Sequence, residues 1–506
     1  MNIFKPLRPV LLSAVFLIAS GFLFIKPVYS SLPGQIMVDP NNDSWFVYNR
    51  DSDGDGKLDP YFMCAPGDPE NFLYRGTRRS DGTRDGDQMT LINKLKTNLG
   101  NGSPANGIYM QIIRSHGGDG VSSHNPFVNS NPSEGLDQDI LNQWDTWFTE
   151  MDNAGITIYL FFWDDDARVT NWGNYSETQF YTDIVNRFEG YRHLVWVFAE
   201  EYQEEWSSGE VSSRARTIKN ADNHKHPFAV HKLSGLSFSE FASNENIDQF
   251  SIQYKVSGND NNHNAMVEAW NNAQGRYNLN QAEPKNLTTN DSNRTTFRQR
   301  NWAVAMGGAY IMNYEWFIAN TPSDYLKDCG RLVSFMEQTT FNEMAPDDSL
   351  ASGDTDYILA KPGSSYIAYT NSYSSEIGLQ NMSSGTYDFL WYDIINNKYA
   401  TQNNVGVGSG TQKWTRPSGI TGSEVAVYLT NGGVINTPSP ISPSPTPPDY
   451  APGDANEDGN VDYQDYIIWI FNYGKTTGSG ASNGDFDTNG VVDGIDYSIW
   501  QSNYSP

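Results

Sequence analysis

The sequence predicts a multidomain chain: an α/β part of the (β/α)8 TIM-barrel class, then an all-β sandwich, then a small α module built on two cation-binding loops. Three observations carry this. From Trp45 to about Met344, apolar strand-like runs alternate with longer amphipathic segments, as the crossovers of a parallel barrel do. From Asp356 to Thr430 the runs become short and β-type, with Gly and Asn turns between them. Beyond a Pro-rich spacer, an Asp/Asn/Gly loop leading into an apolar helix occurs twice at a period of 31 residues. The expected boundaries are 1–30 for a signal or anchor, 35–345 for the barrel, 348–432 for the sandwich, 436–452 for the spacer and 453–506 for the loop module.

Residues 1–30 carry Lys5 and Arg8, then an uncharged apolar run from Val10 to Ile25, then Val28-Tyr29-Ser30. A short positive region, an apolar region and a small residue at the end make a secretory signal. The apolar run is long for a signal core and short for a membrane span, so an uncleaved N-terminal anchor stays open. Either reading puts the rest of the chain outside the cytoplasm, secreted or attached to the cell surface. Composition agrees: Lys+Arg number 33 and Asp+Glu 60, a net charge of −27, which disfavours nucleic acid and anionic membrane as partners. Aromatics reach 13%, with 14 Trp and 29 Tyr, which serves either large cores or stacking on sugar rings. Cys64 and Cys329 are the only cysteines; a disulfide and two separate thiols are both open.

The barrel strands are expected near Pro60–Cys64, Gly107–Ile113, Ile156–Trp163, Leu194–Ala199, Phe228–His231, Phe250–Tyr254, Tyr277–Gln281 and Ala309–Met312. Helices are expected over Gln88–Leu99, Asp137–Asn153, Glu177–Phe188, Ser212–Asn223 and Thr296–Met306. A doubly wound open sheet is the alternative, but no Gly-rich phosphate loop follows an early strand.

Barrel chemistry sits at the C-terminal strand ends. Those ends carry His116 after strand two, Trp163 and Asp164 at strand three, Glu200 and Glu201 after strand four, His231 at strand five, Gln253 and Tyr254 at strand six, Glu283 at strand seven, and Tyr314 and Trp316 beyond strand eight. Glycoside hydrolysis needs two carboxyl groups flanking one bond, about 5–5.5 Å apart in a retaining enzyme. Ends of strands four and seven face each other, so Glu201 as acid/base and Glu283 as nucleophile are the expected pair. Glu200 stays an alternative acid, and the other residues named at these ends are expected substrate contacts; His116 and His231 serve equally well as hydrogen-bonded wall residues, Trp163 and Trp316 as packing of the barrel mouth, and Asp164 as part of a solvated turn. The run Glu200, Glu201, Glu204, Glu205 also fits a solvated helix start. No zinc-type ligand cluster and no Gly-x-Ser-x-Gly elbow is present.

Trp196-Val-Phe-Ala-Glu-Glu201, Gln281-Ala-Glu283-Pro284 and Gly307-Gly-Ala-Tyr310 resemble the apiosidase-related family of barrel glycoside hydrolases. The resemblance implies an acid/base on strand four and a nucleophile on strand seven. In that family a small residue usually precedes the acid/base; here it is Glu200. Ser364 to Gly378 and Trp391-Tyr-Asp resemble the sandwich that follows the barrel in the same family. That sandwich has been labelled collagen-binding, though nothing in these residues argues for collagen; a structural cap on the barrel is the expectation.

The repeated loops are Asp454-Ala-Asn456-Glu-Asp458-Gly-Asn460-Val-Asp462-Tyr-Gln-Asp465 and Asp485-Phe-Asp487-Thr-Asn489-Gly-Val491-Val-Asp493-Gly-Ile-Asp496. Side-chain oxygens fall at positions 1, 3, 5, 9 and 12, with Gly459 and Gly490 at position 6 and the carbonyl of Asn460 or Val491 at position 7, a cage suited to Ca2+. One loop and one helix, repeated, resembles a type I dockerin, which implies two calcium ions and a cohesin-bearing scaffold or cell-surface protein as partner. A third stretch, Asp51, Asp53, Asp55 and Asp59, matches the loop except at position 12, where Phe62 stands; a calcium-stabilised loop and an acidic turn are both open. The expected function is a secreted retaining glycoside hydrolase acting on a plant or microbial polysaccharide and attached to a scaffold or surface through its calcium-dependent dockerin, with no nucleic-acid partner. A non-catalytic carbohydrate-binding or adhesion protein is the rival, and a purely structural surface protein the third reading.

Overall fold

The computed structural model describes residues 31–67, 71–285, 291–313, 317–432, 452–456, 460–475, 480–486 and 490–505. The expected signal, the spacer up to residue 451, and Tyr314, Trp316, Asp458, Asp487 and Asn489 lie outside the described residues.

Eight parallel strands form one sheet: β1 (Cys64–Ala65), β2 (Gly107–Ile113), β3 (Thr157–Trp163), β4 (Leu194–Ala199), β5 (Phe228–Lys232), β6 (Gln249–Gln253), β7 (Asn278–Glu283) and β8 (Tyr310–Met312). Their order, β1-β8-β7-β6-β5-β4-β3-β2, brings the first and second strands to the two ends of the sheet. Asn106 joins those ends. Its backbone N–H donates to the Cys64 carbonyl (3.0 Å), its Oδ1 accepts the Cys64 N–H (2.9 Å), and its Nδ2 donates to the Phe62 carbonyl (2.8 Å). The approach is close enough that a Cβ on Gly107 would lie 2.9 Å from the Ala65 Cβ. Strands β2, β3 and β4 are buried along their whole length, as apolar strands covered on both faces must be.

Helices α1 (Gln88–Thr97), α2 (Gln138–Asn153), α3 (Glu177–Phe188) and α4 (Ser208–Ala221) follow the first four strands. α4 starts four residues before its expected position because Ser207 and Glu210 make a reciprocal capping box. No helix lies between β5 and β6; Phe238 of that connection stacks on Phe250 at 4.5 Å. α5 (Asn259–Ala273), α6 (Arg294–Met306) and α7 (Ser323–Met336) complete the outer layer. Below the barrel, an antiparallel hairpin of Ile36–Val38 with Phe46–Tyr48 closes the N-terminal strand ends, with Phe46 stacked on Tyr310 at 5.3 Å. Cys64 and Cys329 form a disulfide that ties β1 to α7.

The sandwich follows: β9 (Ala345–Pro346), β10 (Ala351–Gly353), β11 (Tyr357–Lys361), β12 (Ser365–Thr370), β13 (Ile377–Met382), β14 (Gly385–Asp393), β15 (Lys398–Val407), β16 (Gly410–Trp414) and β17 (Val425–Thr430). A six-stranded sheet (β9-β11-β12-β17-β14-β15) and a three-stranded sheet (β10-β13-β16) share one core that includes Ile358, Leu379, Phe389 and Trp391. It packs against the barrel's outer helices: Tyr369 stacks on Trp302 at 5.2 Å, Tyr357 on His263 at 3.9 Å, and Tyr392 on Phe335 at 5.5 Å.

The C-terminal part holds α8 (Tyr463–Asn472) and α9 (Gly494–Asn503), each opened by an aspartate capping box, Asp462 with Asp465 and Asp493 with Asp496. The two repeats exchange partners: the Trp469 indole donates to the Asp493 carbonyl (3.0 Å) and the Trp500 indole to the Asp462 carbonyl (2.9 Å). Among the described residues no helix is long and apolar enough to cross a membrane.

Candidate active site

Strand ends β4, β6 and β7 meet at the C-terminal mouth. Gln253, at the end of β6, donates from its one amide nitrogen to a carboxylate oxygen of Glu201 and to one of Glu283. A primary amide nitrogen has two hydrogens, so it can hold two acceptors at once. Two oxygens on one donor lie within two hydrogen-bond lengths of each other, about 6 Å at most. Lys255 Nζ stands 3.5 Å from the other oxygen of Glu283.

Glu201 has a left-handed backbone, φ 41 and ψ 51, which non-glycine residues adopt at a conformational cost. Its N–H donates to His231 Nδ1 at 3.0 Å. That bond turns the peptide at the strand end and aims the side chain across the mouth. His231 is fully buried, and burial, then Lys255, holds its imidazole down at about 3, so it stays neutral and accepts at Nδ1. The Glu201 carboxyl is pushed up to about 7, first by burial and then by the charge of Glu283, with Gln253 acting in the opposite direction. A carboxyl that keeps its proton to near neutral pH suits the role of a general acid.

Glu200 points elsewhere: its Oε2 accepts from Gln111 Nε2 at 2.6 Å. Burial, then Asp164, then Glu283 push its carboxyl well above the ordinary range. Asp164 is buried and accepts the Ser115 N–H at 2.9 Å; burial raises its carboxyl also. His116 sits at the rim, its imidazole 61% exposed and 3.1 Å from Asp165. Tyr254 is half-buried, and its backbone N–H donates to the Glu283 carbonyl at 3.1 Å.

Trp163 is placed differently from its expected role. It is fully buried, its indole donates to the Tyr181 hydroxyl of α3 at 3.0 Å, and Trp172, Phe180 and Trp206 surround it. No ring face is left for a sugar; the large aromatic instead fills the apolar layer between barrel and helix. Sequence reasoning missed Gln111 and Lys255. Gln111 carried a legible signal, a polar residue on the inward-facing parity of an otherwise apolar strand. Lys255 lies past a strand end and carried none.

In the C-terminal module, the position-12 carboxylates tie their own loops. Asp465 Oδ1 accepts the N–H groups of Ala455 (2.8 Å) and Asn456 (3.0 Å), and its Oδ2 that of Asp462 (2.7 Å). Asp496 accepts from Phe486 (2.7 Å) and Asp493 (2.8 Å) in the same way. Asp454, Asp465, Asp485 and Asp496 are all at most 2% exposed, and Lys475 is the only basic residue from 453 to 506. Buried carboxylate oxygens in so acidic a segment are the hard donors that a divalent cation takes, so this donor set fits calcium. In the stretch near the N-terminus, Asp51, Asp53 and Asp55 are exposed, with ligand oxygens within 4.8 Å of one another.

No family model matches the chain, and no curated protein matches it. Solved structures do. A glycoside hydrolase superposes with TM-score 0.55 over 80% of this chain and 99% of its own, at 14% identity. A glycoside hydrolase family 5 protein from Bacteroides vulgatus ATCC 8482 gives 0.53 over 81% and 97%, at 12% identity. At such identities the likeness establishes the shared fold, a barrel followed by antiparallel sheets.

Proposed function

We propose that this chain is an exported retaining glycoside hydrolase of the apiosidase-related type, carrying a calcium-dependent dockerin. The observation that carries the catalytic reading is the Glu201–Glu283 pair held on one donor at the ends of β4 and β7. Glu201, in its acid form, would protonate the leaving glycosidic oxygen while a Glu283 oxygen attacks the anomeric carbon. The resulting glycosyl-enzyme ester is then opened by water, whose proton Glu201 takes up. The sharing of Gln253 favours Glu201 over Glu200 as the acid, and the short spacing favours retention over inversion. His116, Asp164, Glu200, His231, Gln253 and Tyr254 would line the sugar site. The fold that the neighbours share, and the glycoside hydrolase names they carry, support a carbohydrate substrate. The test is Glu283→Gln in the chain acting on a glycan that it cleaves. A fall in kcat of about a thousandfold or more is expected; undiminished turnover removes the assignment.

Asp454, Asn456, Asp458, Asn460, Asp462 and Asp465 would hold one calcium ion, and Asp485, Asp487, Asn489, Val491, Asp493 and Asp496 the second. An exposed apolar stripe on α8, Tyr463, Ile467, Ile470 and Phe471, supports docking on a cohesin-type partner. The Cys64–Cys329 disulfide supports an extracellular location. Calorimetric titration of the chelator-treated chain with Ca2+ tests the module: two bound ions are expected, and none would remove it.

A further inference from the structure

Gln111, Asp164 and Glu200 form a buried cluster beside the Glu201–Glu283 pair. Strand register assembles it. Gln111 of β2 pairs with Phe161 of β3, and Trp163 of β3 with Ala199 of β4. The next residues, Asp164 and Glu200, are therefore neighbours about 5 Å apart at the backbone. Gln111, 2% exposed, gives its Nε2 to Glu200, while its Oε1 is buried with no hydrogen-bond partner among the described residues. Asp164, also 2% exposed, uses Oδ2 for Ser115 and His116, and its Oδ1 is likewise buried and unpartnered among those residues. The atoms left over are oxygens; the charge of Asp164 opposes that of Glu200, and the His116 imidazole, 3.3 Å from Asp164 Oδ2, faces the oxygen that is already partnered.

We propose that this cluster is a subsite for a primary ammonium group, so that the glycan taken by the cleft is built from a de-N-acetylated amino sugar. An ammonium brings three donors, no acceptor and a positive charge, which answers both the orphaned oxygens and the opposed carboxylates. A hydroxyl brings one proton and no charge. An acetamide oxygen or a uronate carboxylate would set a further acceptor against those already present. The net charge of −27 also draws a polycation towards the protein. The inference rests on the glycosidase reading of the cleft.

The test is calorimetric titration of the full chain carrying Glu283→Gln with tetrasaccharides of glucosamine, N-acetylglucosamine and glucose in one linkage. The glucosamine tetramer is expected to bind at least tenfold more tightly than the other two. Adding Asp164→Asn or Glu200→Gln, both isosteric, should abolish that preference with the melting temperature retained. Glu268→Gln, on the exposed side of α5, should leave it intact and so separates the subsite from general acidic attraction. Equal binding of the three tetramers, or no binding of the glucosamine tetramer, overturns the proposal. Selective binding by the unsubstituted chain without product release would sink the hydrolase reading and leave the subsite standing. Cleavage of neutral glycans without an amino-sugar preference would do the reverse.

Discussion

Replacing Gln253 by Met removes the shared donor while keeping the side chain's length. Gln253 lowers the affinity of Glu201 for its proton, because its N–H stabilises the ionised form. A hydrogen bond to a charged group contributes about 1.5–3 kcal/mol. The nitrogen is divided between two carboxylates, so about 1 kcal/mol falls on each, equivalent to a pKa change of about 0.5–1 unit. The sign follows: without the donor, Glu201 holds its proton to higher pH, moving from about 7 towards about 8. In the proposed mechanism the acid form is the active one, so the alkaline limb of kcat/KM against pH should move up by that amount. The optimum should also fall about 10–100-fold as two repelling carboxylates lose their common anchor. The assay is kcat/KM from about pH 4 to pH 9 on a glycan the chain cleaves. A rate loss with the limb unmoved, or moved down, would refute the reasoning, because a merely structural role lowers the rate without changing that limb.

Glu337 accepts from the Phe62 N–H (3.1 Å) and the Tyr48 hydroxyl (3.3 Å) and is pushed up to about 7, mainly by burial. Its folded pKa is raised, so its contribution is complete below the ordinary 4.5 and lost as pH rises through 7; Glu337→Gln should recover about 3 kcal/mol at pH 8, read by urea unfolding. Glu424→Ala should cost about 3 kcal/mol, since it takes the two-pronged partner at 2.6 and 2.8 Å from the buried Arg298 guanidinium and leaves it the more distant Asp328 at 3.6 Å; the paired change Arg298→Met with Glu424→Leu should cost far less. Cys329→Ser should lower stability by about 2–5 kcal/mol in the same measurement. Chelation of calcium should abolish the near-ultraviolet signal of Trp469 and Trp500, whose contacts cross between the loops, while the barrel transition is unchanged.

The barrel was legible because its strands are continuous apolar runs, and the period of β2 to β4 leaves little choice. The helices α5 and α7 were not. α5 reads Asn259-Asp-Asn-Asn-His-Asn264, poor in helix formers and without a side-chain N-cap. It folds because Asn262, His263 and Met266 are buried against the neighbouring elements, a tertiary effect no local pattern encodes. The places of Glu201 and Glu283 at strand ends four and seven were legible from the order of the apolar runs. Gln253 was named there, but its hold on both carboxylates depends on three strand ends meeting. Trp163 misled because alternation places it inward, whereas the last residue of a strand is free to turn towards α3. The Cys64–Cys329 pairing spans 265 residues and had no sequence signal.

The sandwich bears on the site through one helix. α6 presents two arginines two positions apart. Arg298 forks onto Glu424 of the sandwich, reinforced by Gln299 at 3.0 Å from the same carboxylate. Arg300 reaches inward: one nitrogen donates to the Lys285 carbonyl at 2.8 Å and another to Asn313 Oδ1 at 2.9 Å. Lys285 lies two residues beyond Glu283, and Asn313 directly follows β8. The sandwich therefore fixes α6, and α6 fixes the exits of β7 and β8. A carboxylate at the end of a six-residue strand keeps its orientation only if the chain beyond it is also held. This assigns the sandwich a mechanical role in holding Glu283, independent of any ligand of its own, and it explains why the charge pair between the two parts is buried. A buried pair adds little net stability but penalises any other docking of the two parts.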